Sequence, residues 1–161
     1  MNKIIAFLIF FLFPGVAWSL NQDFTGAFIA AGFENVNGEW LSKCGKESRQ
    51  EGKSYDPASI YQRVDLNGDK KPELIIMEGG LYCFGHTSYR SYLLEKKKDG
   101  QWKNVTNFDG IPKVLDTIGV EGWRDIMVVR PGVCFNVESY QEGTYKLNHM
   151  ENHNGKPCDE D

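Results

Sequence analysis

The residues best suited to chemistry lie between positions 65 and 73. Asp65, Asn67 and Asp69 alternate along the chain, and Glu73 follows. A hard cation such as Ca²⁺ takes six to eight oxygen ligands at about 2.3–2.6 Å, and alternate loop residues can aim their oxygens at one centre. The carbonyl of Lys71 would add an oxygen and Glu73 would close the set. The same residues also read as a structural turn, in which Asp and Asn bond their own backbone and launch the next strand. Catalysis finds thinner material. The three histidines are His86, His149 and His153. His86 follows Cys83, Phe84 and Gly85, with Ser88 and Tyr89 nearby, but no Gly-x-Ser-x-Gly elbow and no orienting acid accompanies it. Paired carboxylates of the glycosidase kind are not identifiable either.

Residues 65–69 read Asp-Leu-Asn-Gly-Asp, and an acidic residue and an apolar run follow. This pattern resembles the calcium-loop signature of FG-GAP and VCBS repeats, found in β-propeller blades of integrin-type and bacterial surface proteins. The resemblance covers residues 65–76 and implies a calcium loop feeding a β-blade. Lys70 stands where those loops carry glycine, and Lys70 and Lys71 bring positive charge beside the candidate ligands.

The chain around this segment reads as an exported domain. Residues 1–19 have the form of a signal peptide: Lys3, an apolar run over 4–13, the breakers Pro14 and Gly15, then Ala17, Trp18 and Ser19 as a cleavage site. The run is shorter than the about 20 apolar residues a membrane span needs. Cleavage near Ser19/Leu20 would leave a single domain over 20–161, without a membrane anchor, in the periplasm or outside the cell. The formal net charge is −4, and losing Lys3 makes it more negative. That balance argues against nucleic acid and anionic membrane as partners. Cys44, Cys83, Cys134 and Cys158 all lie beyond the leader, and an even count in an exported chain reads as two disulfides. Zinc is the weaker alternative, because no Cys-x-x-Cys pair exists.

The elements that must position these groups are mainly β. Residues 23–33 carry Phe24, Ala27, Phe28 and Ala31 at helical spacing, with Asp23 as a cap candidate and Gly32 as the stop. Asn37 and Gly38 signal a hairpin. Residues 43–54 read as a polar surface loop. Residues 58–64 enter the opening motif as a strand, and 73–77 form a buried one. A second unit then echoes the first. Residues 125–128 repeat the pattern of 73–76, and each unit continues through a glycine turn and a Cys-Phe pair into a hairpin. The units span 65–106 and 119–148. A short middle helix is expected over 111–118, with Pro112 at its start and Gly119 at its end. The predicted fold is thus mainly β, a β-rich α+β class. Antiparallel sheets come from two blade-like units, with an N-terminal helix over an open edge. Four cysteines allow three pairings. The equivalent places of Cys83 and Cys134 favour those two facing each other, which leaves Cys44 with Cys158.

The leading functional expectation is a non-catalytic binding protein that meets another envelope or secreted protein through loops. In size, compartment and fold it resembles the periplasmic inhibitors and immunity proteins that block cell-wall enzymes. Aromatic and arginine side chains dominate binding hot spots. The loop after 79 supplies Tyr82, His86, Tyr89 and Arg90, and Arg130 ends the second unit's buried strand. The alternatives are a calcium-loaded structural or adhesion-type module, and a hydrolase.

Overall fold

The computed structural model describes residues 24–158. The expected signal peptide and the Asp23 cap lie outside the described residues. In chain order the helices are α1 (Thr25–Ala30), α2 (Lys43–Gln50) and α3 (Leu81–Phe84). The strands are β1 (Glu34–Val36), β2 (Glu39–Leu41), β3 (Asp56–Val64), β4 (Glu73–Gly79), β5 (Tyr89–Lys96), β6 (Trp102–Phe108), β7 (Ile111–Ile118), β8 (Arg124–Val129), β9 (Phe135–Gln141) and β10 (Thr144–Glu151). These ten strands of the described residues form two antiparallel sheets, so the mainly β class holds. The larger sheet runs β1-β2-β3-β4-β5-β6 and the smaller runs β10-β9-β8-β7. No helix of the described residues is long and apolar enough to cross a membrane.

Local chemistry accounts for the turns. Asn37 (φ 55°) and Gly38 (φ 91°) both take positive φ, the geometry of a tight hairpin matched to strand twist. Asn35 Oδ1 accepts the Gly38 N–H at 3.1 Å. Glu142 and Gly143 make the equivalent turn between β9 and β10. Gly32 (φ 92°) stops α1 as expected.

Two expectations fail for identifiable reasons. The 43–54 segment is not an open loop, because α2 occupies most of it. Ser42 caps it by accepting the Gly45 N–H at 3.1 Å. The helix then rests on Tyr55, whose ring would lie 2.2 Å from any Cβ at Gly45, so only glycine permits this approach. A helix held by a cap, a disulfide, surface ion pairs and one close contact leaves little apolar periodicity to read. The middle helix over 111–118 is instead strand β7, paired with β8 from Ile111↔Val129 to Ile118↔Arg124. Ile111, Val114, Thr117 and Ile118 are β-branched, and sheet pairing overrides a helical spacing of apolar residues. Pro112 fits because β7 is an edge strand, where a missing N–H costs least.

Each half of the chain is a four-stranded meander, β3 to β6 and β7 to β10. The two stack with a shared core. Leu66, Ile75, Leu93, Val105 and Phe108 pack against Trp123, Ile126, Val128 and Tyr145. Trp123 is a core residue, stacked on Tyr140 with ring centroids 4.2 Å apart. The opposite face of the larger sheet carries Leu74, Ile76, Tyr92 and Leu94, and Ala27 and Phe28 of α1 cover it. The helix therefore covers a sheet face near edge strand β6, where an open edge was expected. Leu74 and Ile76 face α1, while Ile75 faces the second sheet. In that sheet Ile126 and Val128 face the first, and Met127 joins a separate cluster with Phe135 and Val137. Equivalent residues of the two meanders thus point the same way.

The disulfides correct the expected pairing. Cys44 bonds Cys83 and Cys134 bonds Cys158, with Cα separations of 5.8 and 6.1 Å. Cys83 and Cys134 occupy comparable places in their own meanders, but with the meanders stacked the same way they do not meet, and each bonds a cysteine from outside its meander. Each bridge ties a loop at the β4/β8 exit end to a segment outside its meander: α2 in one case, the C-terminal tail in the other. Peptide mapping of the unreduced protein is expected to recover these two pairs. Deleting either as a Cys→Ser pair should cost about 3–4 kcal/mol, because the bridges close 39- and 24-residue separations. Equal stability with and without reductant would contradict this.

Candidate functional site

The strands place the candidate groups at two opposite ends. Strand β4 begins at the 65–72 loop and ends at Gly79, about 20 Å away for seven residues at a strand rise. The 97–101, 119–123 and 142–143 turns share the starting end. The α3 turn, the Asp109–Gly110 turn and the loop before Cys134 share the finishing end.

At the starting end the oxygens of the proposed ligand set bond the loop itself. Asp65 accepts the Gly68 N–H at 2.7 Å and the Lys70 N–H at 2.8 Å on its two oxygens. Asn67 Oδ1 accepts the Asp69 N–H at 2.9 Å, and Asp69 Oδ1 accepts the Lys71 N–H at 2.8 Å. Glu73 is buried and accepts the Leu66 N–H at 2.8 Å and the Asn67 amide at 3.2 Å. Burial pushes its pKa up to about 7, more than the backbone bonds lower it, and the charges of Asp69 and Asp65 add to the rise. Among the described residues no group of three or more His, Cys, Asp or Glu is arranged to hold a metal ion. As it stands the loop is a ladder of side-chain-to-backbone bonds, the geometry by which Asx residues build turns. The chemistry of the donors suits calcium, but in this arrangement they are turned onto the backbone.

At the finishing end the Cys44–Cys83 bridge pins α3 against α2. Leu81 and Tyr82 stand out from α3, at 71% and 45% exposure. The Glu51 carboxylate beside Tyr82 holds its hydroxyl above the ordinary tyrosine range. His86 is exposed in the 3-10 turn Gly85–Thr87 that follows. Tyr89 is half-buried, its ring lying over Gly79. Arg90 pairs with Asp109 at 2.7 Å and lies 5.5 Å from the centre of the Phe84 ring. Tyr82 thus stands on α3, His86 in the 3-10 turn after it, and Tyr89 and Arg90 at the start of β5, all at the finishing end. Arg130 is at the same end, but it donates to Asn136 Oδ1 at 3.0 Å and belongs to the second sheet. The Asp109–Gly110 turn joins the two halves. Gly110 sits so close to β8 that a Cβ would lie 2.5 Å from the Val129 carbonyl.

Sequence reasoning missed the group beneath this turn. Glu78, buried in β4, accepts the Tyr55 hydroxyl at 2.5 Å and also the Tyr92 hydroxyl. Tyr55 in turn accepts the Ser42 N–H at 3.3 Å, which links the network to the cap of α2. Burial, and then the bond to Glu78, push Tyr55 up to about 12 and Tyr92 further. Both hydroxyls therefore stay protonated donors at neutral pH, so the trio works as an anchor and not as a nucleophile. The signal was available in the sequence: Glu78 interrupts an otherwise apolar strand, and a buried carboxyl requires donors.

The chain matches no protein-family model, no curated protein and no solved structure.

Two measurements follow from these groups. A buried acid with a raised pKa favours the folded state while protonated. Stability in calcium-free buffer should therefore be fullest below about 4.5 and should fall as pH rises through about 7. Glu73→Gln should flatten that part of the profile, and an unchanged profile would refute the assignment. Tyr92→Phe should lower stability by about 1–3 kcal/mol in urea unfolding, because it leaves a Glu78 oxygen without its donor.

Proposed function

We propose that this is a small non-catalytic binding protein of the periplasm or extracellular space. It engages another envelope or secreted protein through the disulfide-pinned turn over 80–90. An inhibitor or immunity protein for a cell-wall enzyme is the form this role would take. The observation that carries the reading is the exposure of Leu81 and Tyr82 on a turn held from three sides. The Cys44–Cys83 bridge, the Glu78 trio and the Arg90–Asp109 pair fix its backbone and rim. Ordering a binding loop before contact lowers the entropy lost on association. Tyrosine and arginine are also the usual energetic centres of interfaces. The acidic net charge suits a basic partner, since complementary fields speed encounter.

A calcium-loaded structural or adhesion-type module is the second reading, favoured by the alternation of Asp65, Asn67 and Asp69. Partner capture that disappears with EDTA, together with a lower melting temperature, would favour it over the first. The hydrolase reading comes third; turnover lost on His86→Ala would be its signature.

Capture of envelope proteins on the immobilised protein tests the turn directly. Leu81→Ala/Tyr82→Ala should lose the specific partner at an unchanged melting temperature, with affinity down by about thirtyfold if the pair is a hot spot of about 2 kcal/mol. Tyr89→Ala/Arg90→Ala should behave alike with some loss of stability. Identical partner lists for wild type and variants would remove the turn from the account.

A further inference from the structure

A cleft of about 260 Å³ opens between the 65–72 loop, the start of α1 and the β5–β6 hairpin. Its floor is apolar: Phe24, Leu74 and Trp102. Its rim is cationic: Lys70, Lys71 and Lys96. In a chain of net charge −4, this is a local reversal of sign.

The loop's own bonds leave the Lys70 and Lys71 ammonium groups without a carboxylate partner inside the loop. Asp65 and Asp69 accept the backbone N–H groups of Lys70 and Lys71, and Glu73 is taken up by the Leu66 N–H and the Asn67 amide. Among the described residues none of the three lysines forms an ion pair. Lys96 Nζ lies 5.6 Å from the centre of the Trp102 ring, and the Arg63 guanidinium lies 5.0 Å from that of Phe24. Lys71 and Lys96 also line a neighbouring depression, which they share with Asp69, Glu95 and Asp99; Glu95 is paired with Lys97.

The turn that the loop's bonds fix also sets the backbone of Lys70. Lys70 has φ 67°, in the left-handed region where a side chain is strained and glycine would relieve the loop. Strain kept at a residue whose side chain lines a cleft points to work for that side chain.

We infer that this cleft binds a small organic anion: a carboxylate or phosphate group carried on an apolar ring or short chain. The lysines act as point charges for the anionic group, which either oxyanion satisfies. Trp102 and Phe24 take the apolar part. The volume falls below the about 300–1,000 Å³ of drug-sized sites, so the ligand is a single ring or its equivalent. The site lies on the α1 face near the end of β5, away from the Cys83 turn, and stands whether or not that turn binds a protein.

Titration of the ¹⁵N-labelled protein with benzoate, phenyl phosphate, inorganic phosphate and benzyl alcohol tests it. Benzoate and phenyl phosphate should give saturable shifts at the Trp102 indole N–H and at the Lys70 and Lys71 amides, leaving the Trp40 indole still. Inorganic phosphate and benzyl alcohol, each with half the chemistry, should bind at least about tenfold more weakly. Lys70→Gln/Lys96→Gln should weaken phenyl phosphate by about tenfold at an unchanged melting temperature, and added salt should weaken the wild type similarly. Inorganic phosphate binding as well as phenyl phosphate would overturn the ring subsite. No saturable shift at Trp102, or equal affinity in the glutamine variant, would overturn the site.

Discussion

Strand β4 is covered on both faces, and that double burial organises the molecule. Leu74 and Ile76 pack under α1, and Ile75 packs against the second sheet. Three such side chains contribute about 1.5–3 kcal/mol each by area burial, and their alternation fixes the register. A one-residue slip would exchange the two environments and move Glu73 and Glu78 off their partners. The strand therefore sets both of its ends together. One carries the bonded 65–72 loop and the other carries the turn that leads to Cys83.

The two ends are stabilised by different physics. At the loop, polar side chains replace what a core would supply, and each carboxylate answers a backbone N–H. The network is local in sequence, spanning nine residues from Asp65 to Glu73. At the turn, the constraints are long-range: a bridge to α2, hydroxyls from β5 and from just before β3, and an ion pair to the β6–β7 turn. A surface of this kind changes shape only if several distant elements move together.

That difference explains what could be read from the chain. The β class, β4, both hairpins and the paired meanders were legible, because each leaves a local mark. Asn37-Gly38 dictates a hairpin wherever it sits, and an apolar run of Leu74 to Ile76 has few alternatives. The misses are relations between distant residues. Helix α2 depends on Ser42 and on Gly45 meeting Tyr55, which no periodicity reports. Strand β7 has helical spacing and is a strand only because β8 lies beside it. The cysteine pairing was inferred from equivalence within the meanders, whereas the bridges run outward from them. Tyr82, His86, Tyr89 and Arg90 share one end of the fold because they are close in sequence. The Glu78 trio was not, because its partners come from two other strands' worth of chain.

Same-way stacking has a consequence for how alike the two meanders can be. A pair related by a twofold axis would give equivalent residues identical surroundings, and one sequence could serve both. Here the pair has a polarity, like two bricks laid in the same orientation. Leu74 meets a helix, whereas its counterpart Ile126 meets a sheet. Every matched position faces a different neighbour, so the two sequences are under different packing demands from the first residue to the last. An imperfect echo is what such an arrangement requires, and a polar loop present in one meander but not in the other is compatible with both being fully packed.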